Sequence, residues 1–229
     1  FIQECKPPIV SYDHYTLLEG GGMGDQYFAN LESVRRAASK HDLPFWQIVL
    51  AVGCLGFREP TLTDFRFQAY TSLAYGARGL TYFKYFTPAV GNFRNGPIDQ
   101  FGNATPTWSA MRQVNLQIGK LGPTLLKLKS DGVYHFGEIP PGCTGPNETS
   151  LVKAIGGSML VGDFTHGDGS HYVMIVNKSL TDSVVCGPQF REPVSALLMI
   201  SAYSGQPTAY EGEQTWLGPG QGVLLQLKR

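Results

Sequence analysis

Two carboxylates stand where chemistry could be done. Asp13 lies in Tyr12-Asp13-His14-Tyr15, and Glu59 lies in Arg58-Glu59-Pro60-Thr61. A positioned carboxyl group can give or take a proton. An Asp beside a His and flanked by tyrosines can equally bind sugar hydroxyls, or simply form a turn among half-buried rings. Glu59 can act in the same way, or serve in a structural salt bridge or at a helix entry. The rings of Tyr82 and Tyr85, together with Trp46 and Gln47, could meet a sugar face or belong to the core. Asn92 and Arg94, with Asp99, sit in a long loop over residues 87–104, and loops of that length are often functional.

These residues need elements to hold them. Pro8-Ile9-Val10-Ser11-Tyr12 predicts a strand, after which Asp13 lies, and a glycine-rich loop over 19–24 follows. Leu31, Val34, Ala37 and Ala38 predict a helix from Asn30 to Lys40, with Asn30 as its N-cap. Phe45 to Val52 is apolar almost throughout, the pattern of a parallel strand buried on both faces. Thr63 is expected to cap a helix from Asp64 to Tyr75, which Gly76 ends. Leu80 to Phe86 predicts a third strand, and Thr105-Pro106 opens a helix reaching about Leu121.

The rhythm changes near Ser130. Short apolar runs such as Met159–Phe164, Tyr172–Asn177, Leu197–Ser201 and Gly222–Leu227 are separated by Gly, Asp, Asn or Pro, with no helical period between them. That is an antiparallel sandwich signature. The expected fold is therefore α/β plus all-β. Residues 1–128 are the last three βα units of a (β/α)8 TIM-type barrel, and residues 129–229 are a β-sandwich domain. Three βα units cannot close a barrel. With helices on one face only, they leave a sheet face and a strand edge open.

Composition narrows the function. With 18 basic and 18 acidic residues and no basic stripe, no nucleic-acid partner is expected. No apolar run is long enough to span a bilayer, so no membrane partner is expected either. The opening Phe1-Ile2-Gln3-Glu4-Cys5 lacks a signal-peptide pattern and a Met, and reads as a processed chain or a fragment. Aromatic residues at 12% and 28 glycines suit a turn-rich protein, and also suit carbohydrate binding. The cysteines Cys5, Cys54, Cys143 and Cys186 show no metal spacing, so no metal and no cofactor are expected; Cys143 and Cys186 could bridge. Asn103, Asn147 and Asn177 open glycosylation sequons.

Three stretches in order carry a family resemblance: Leu43 to Ala51, Arg58-Glu59-Pro60-Thr61, and Phe67 to Tyr85 with its Ala74-Tyr75-Gly76-Ala77-Arg78-Gly79 and Tyr82-Phe83-Lys84-Tyr85. They resemble the end of the barrel in clan A glycoside hydrolases, most of all β-galactosidase-like proteins of the family 42 type. Tyr172–Ser179 and Trp216–Leu224 are similar to the small C-terminal sandwich of such enzymes. The resemblance implies that the three strands are numbers six, seven and eight. It also implies action on O-glycosidic bonds, which needs two carboxylates flanking the bond. The family's acid/base Glu follows strand four, outside this chain. Its nucleophile ends strand seven, where this sequence has Val49-Leu50-Ala51-Val52. The catalytic set is thus expected to be incomplete, with Asp13 and Glu59 the carboxylates to test. The alternative is a non-catalytic carbohydrate-binding or structural protein on a glycosidase scaffold. Expected partners are a carbohydrate and either a missing N-terminal barrel segment or an oligomer partner. The expected location is extracellular or periplasmic.

Overall fold

The computed structural model describes residues 2–211 and 215–229; Phe1 of the opening pentapeptide and residues 212–214 lie outside that description. One helical turn, α1 (Ile2–Cys5), precedes β1 (Val10–Asp13). Then come α2 (Tyr27–Lys40), β2 (Phe45–Leu50), α3 (Leu62–Ala74), β3 (Gly79–Phe83) and α4 (Pro106–Leu125). The three strands form one parallel sheet in the order β1-β2-β3.

Alternation along these strands separates two faces. Val10, Tyr12 and Phe45 pack with the α2 and α3 side chains, and Leu80 and Tyr82 pack against α3 and α4. The other face carries Ser11, Asp13 and Trp46, all exposed, and the half-buried Ile48 and Thr81. The Trp46 ring covers Gly79, where an added Cβ would come within 2.6 Å of it. This is the open face that three βα units were expected to leave.

Local chemistry moved two boundaries. The α2 helix begins at Tyr27, so Asn30 sits inside its first turn and donates from Nδ2 to the Gln26 carbonyl at 2.9 Å instead of capping. The α3 helix is capped by Thr61 rather than Thr63. Thr61 Oγ1 accepts from the Asp64 N–H at 3.4 Å, and Asp64 Oδ2 accepts from the Thr61 N–H at 2.9 Å. The spacing that forms this reciprocal box was present as Thr61-x-x-Asp64. Thr61→Ala is expected to lower stability by about 1 kcal/mol, read as a fall of a few degrees in thermal unfolding.

The remaining strands are β4 (Leu128–Phe136), β5 (Val152–Ala154), β6 (Met159–His166), β7 (His171–Asn177), β8 (Val184–Val185), β9 (Gln189–Phe190), β10 (Ala196–Ile200), β11 (Pro207–Ala209), β12 (Trp216–Leu217) and β13 (Gly222–Lys228). Six of them build an antiparallel sheet in the order β11-β10-β13-β7-β6-β4. Both its faces are apolar. Leu160, Phe164, Tyr172, Met174, Val176 and Leu224 meet Phe67, Tyr70 and Tyr75 of the α3 segment. On the reverse, Met159, Val161, Val173, Ile175 and Leu225 are covered by residues of the two-stranded ribbons β5-β9 and β8-β12. So the large sheet packs on helix one side and on short ribbons the other.

All four cysteines are free. The bridge considered for Cys143 and Cys186 does not form, because the two side chains belong to clusters on opposite faces of the sheet. The sequon at Asn177 is closed to modification: the residue is buried and its Nδ2 donates to the carbonyls of Asp182, Leu217 and Gly218. Asn103 and Asn147 are exposed.

Candidate functional site

The carboxyl ends of β1, β2 and β3 feed three loops that are stitched together. Gly53 and Arg94 exchange backbone hydrogen bonds of 2.9 and 2.8 Å. The Leu55 N–H donates to Asn92 Oδ1 at 3.0 Å, and the Glu19 N–H donates to the Gly56 carbonyl at 2.9 Å. Gly53 is required there: a Cβ would lie 2.7 Å from Glu59 Cγ. The third loop begins with a cis peptide between Phe83 and Lys84.

Under the loops lies an aromatic floor. Tyr15 stacks on Phe83 at 5.4 Å and meets Phe57 edge-on at 5.6 Å; Phe93 lies 6.3 Å from Phe83. Lys84 Nζ sits 5.4 Å from the Phe93 ring centre and 5.8 Å from that of Phe83, within cation–π range. Burial, and then the charge of the neighbouring Asp13 carboxylate, push Tyr15 well above the usual phenol range, so its hydroxyl keeps its proton.

Above the floor is a charged arch. Arg94 bridges two carboxylates: Nη2 pairs with Glu19 Oε1, and Nε lies 3.3 Å from Glu59 Oε1. Asn95 Nδ2 donates to Glu59 Oε2 at 2.6 Å. Both oxygens of Glu59 are therefore engaged. A groove of about 410 Å³ runs beside it, lined by Glu59, Phe93, Arg94, Asn95, Asp99 and Phe101.

The structure brings Asp13, Tyr15, Glu59, Asn92 and Arg94 to this end of the sheet. Tyr85 is exposed at the root of the third loop. Trp46 lies on the open face, one register step from the N-terminal end of β2. His14 turns to α2, with Nδ1 at 3.4 Å from Asn30 Nδ2. Three expected contacts point elsewhere. Tyr12 packs among the helices, and burial raises its phenol above the ordinary range. Gln47 is buried beneath the same layer, with Nε2 donating to the Ile48 carbonyl at 3.2 Å. Tyr82 donates to Asn115 Oδ1 on α4 and is pushed up to about 12 by burial. The strand period decides this: in each strand these residues take the parity of the helix-facing side. Sequence reasoning missed Glu19, Phe57 and Asn95; the first of these opens the glycine-rich loop, which was its one visible signal.

No family model matches the chain, and no curated protein does. Solved structures do. The chain aligns over 99% of its length with 54% of the GH51 arabinofuranosidase from Xanthomonas axonopodis pv. citri, at 12% identity and a TM-score of 0.41. It aligns over 88% with 42% of a candidate α-N-acetylgalactosaminidase from Bacillus halodurans, at 10% identity and a TM-score of 0.39. Over its whole length it aligns with 59% of a GH27 β-L-arabinopyranosidase from Geobacillus stearothermophilus, at 11% identity and a TM-score of 0.30. These proteins are glycoside hydrolases by description, and the chain spans about half of each.

Among the described residues no cluster of His, Cys, Asp and Glu is placed to hold a metal ion. Among them, no helix is long and apolar enough to cross a membrane.

Proposed function

We propose that this chain is the C-terminal part of a glycoside hydrolase-like protein acting on O-glycosidic bonds of a carbohydrate, with an incomplete catalytic set of its own. In this reading residues 1–128 are the last three βα units of a TIM-type barrel of the family 42 kind, and 129–229 form an appended sandwich-type β domain. The rest of the barrel comes from an N-terminal segment or an oligomer partner, and the protein works outside the cell or in the periplasm. One observation carries the reading: Glu59, Arg94 and Asn95 converge beside an open groove at the carboxyl ends of parallel strands, where barrels of this type place their chemistry. Asp13 at the end of β1 and the rings of Tyr15 and Tyr85 are the further contacts, with Asn92 fixing the loop and His14 at its margin; Trp46, at the other end of β2, is not among them.

The engagement of both Glu59 oxygens favours a second reading. A carboxylate held by a guanidinium and an amide is organised to position sugar hydroxyls, not to exchange protons, so the chain would bind glycans without cleaving them. The two readings part in one experiment. The native gene product, with Asp13→Asn and Glu59→Gln beside it, is assayed for release of sugar from a panel of aryl glycosides and for binding to a glycan array. Participation predicts a loss of roughly 100-fold or more in kcat for at least one variant. Binding without turnover by the wild type supports the second reading. Hydrolysis that neither substitution slows removes both carboxylates from the mechanism.

A further inference from the structure

A second polar constellation is built from residues in β4 or following α3, β4 and β7, beside the loop that leads into α2. Lys178 follows β7, where its N–H donates to the Ser158 carbonyl at 2.9 Å. The residue is only 8% exposed. Its Nζ lies 2.6 Å from the Glu138 carbonyl and 3.4 Å from His135 Nδ1. His135 Nε2 lies 2.8 Å from Tyr75 Oη, which in turn lies 3.7 Å from Cys143 Sγ. His135 and Tyr75 are fully buried, and Phe28 meets the imidazole edge-on at 4.8 Å. Lys178 opens onto a groove of about 210 Å³ whose walls include Met23, Phe28, Pro140 and Pro141, with Asp25 and Glu138 also lining it.

The chain of contacts fixes the direction of the amine. An imidazole that accepts from lysine at Nδ1 carries its proton on Nε2 and gives it to Tyr75. A neutral amine has two N–H groups and one lone pair. The Glu138 carbonyl and His135 Nδ1 take the two N–H groups, and Cε takes the third tetrahedral position. The lone pair is left to point in the remaining direction, and the groove is the space Lys178 opens onto. We propose that Lys178 is an imine-forming site that captures an uncharged, largely apolar aldehyde in this groove. The nitrogen lone pair forms a bond to the carbonyl carbon, and the C=O π pair moves to oxygen. A proton passes from nitrogen to that oxygen through solvent. The carbinolamine then loses water, so that aldehyde and amine give imine and one water. The carboxylates of Asp25 and Glu138 at the groove disfavour anionic carbonyl compounds.

The charges around the amine agree with this role. Burial lowers Lys178 to about 8, against the opposing pull of Glu138 and Cys143. Burial, and then the Lys178 charge, lower His135 to about 3, so the ring stays a neutral acceptor. Burial, above all, raises Cys143, and the same holds for Tyr75. At pH 8 about half of such an amine is neutral, against roughly one in three hundred for an ordinary lysine.

The test uses the intact protein at pH 8 with benzaldehyde and cyanoborohydride, followed by peptide mass mapping. The reduced adduct is expected on Lys178 at least about tenfold faster than on the exposed Lys127 and Lys153. The preference should vanish in denaturant, and glyoxylate should label Lys178 more slowly than benzaldehyde does. Labelling of Lys178 no faster than Lys153 overturns the site. Equal labelling by glyoxylate overturns the assigned ligand class.

Discussion

Gly162→Ala is expected to lower stability by about 3 kcal/mol, seen as a fall of about 10 °C in the thermal midpoint. Gly162 lies in β6 on the face turned to α3. A Cβ there would fall inside the contact radius of the Ala74 carbonyl oxygen and 2.9 Å from its carbon. Backbone cannot rotate away as a side chain can, so the sheet and the helix end must separate. That loosens contacts of Leu160 and Phe164 with the α3 segment. Gly187→Ala is the matched control, because nothing lies within 4 Å of the methyl it would add. Its expected effect is within about 0.5 kcal/mol. Calorimetry on the two variants decides: equal midpoints would mean that the close approach of β6 to α3 is not a constraint.

The neighbouring residue faces the other way and predicts an effect of pH. Asp163 is buried, with Oδ2 accepting from the Leu151 N–H at 2.7 Å and Oδ1 without a partner. Burial raises it to about 7, and the Asp131 charge adds to the shift. A carboxyl raised in the folded state favours folding while it is protonated in both states. Its contribution is complete below about pH 4 and is lost as pH rises toward 7. The shift of about three units corresponds to about 4 kcal/mol. Asp163→Asn removes the charge, keeps an acceptor for Leu151 and turns an N–H toward the unpartnered side. The variant is expected to match the wild type near pH 3.5 and to exceed it by about 2–4 kcal/mol at pH 8. Denaturant unfolding across that range is the measurement. His135 and Lys178 are the same in both proteins, so the difference isolates Asp163. Parallel stability profiles would falsify the assignment.

Much of the path to the candidate site was legible in sequence. The apolar run at Phe45–Val52 and the helical spacing before it pointed to a parallel strand, which the structure keeps over Phe45–Leu50. The position of Asp13 at a strand end followed from the strand itself. Parity was the weak point. Tyr12, Gln47 and Tyr82 have types suited to a ligand, yet one step of the two-residue period turns them to the helices, and no composition signal fixes that phase. The arch of Glu19, Arg94 and Glu59 was hidden for another reason. Its partners come from three loops, and a contact across such separations leaves no periodic trace. The α3 start was readable in principle, since Thr61 and Asp64 carry the cap spacing, but Thr63 offered a competing hydroxyl.

The α3 helix has a consequence for how the protein is made. Residues Phe65 and Ala69 face the parallel sheet and α4, while Phe67, Tyr70 and Leu73 face the six-stranded sheet, so almost the whole helix is buried. Half of its cover is synthesised much later than the helix: β6, β7 and finally Leu224 of β13. At ordinary translation speeds the nascent chain carries these rings uncovered for roughly ten to thirty seconds. During that interval the growing polypeptide presents an adhesive helix with no native partner yet in existence. Expression yield should therefore respond to holdase chaperones acting before the last strand leaves the ribosome.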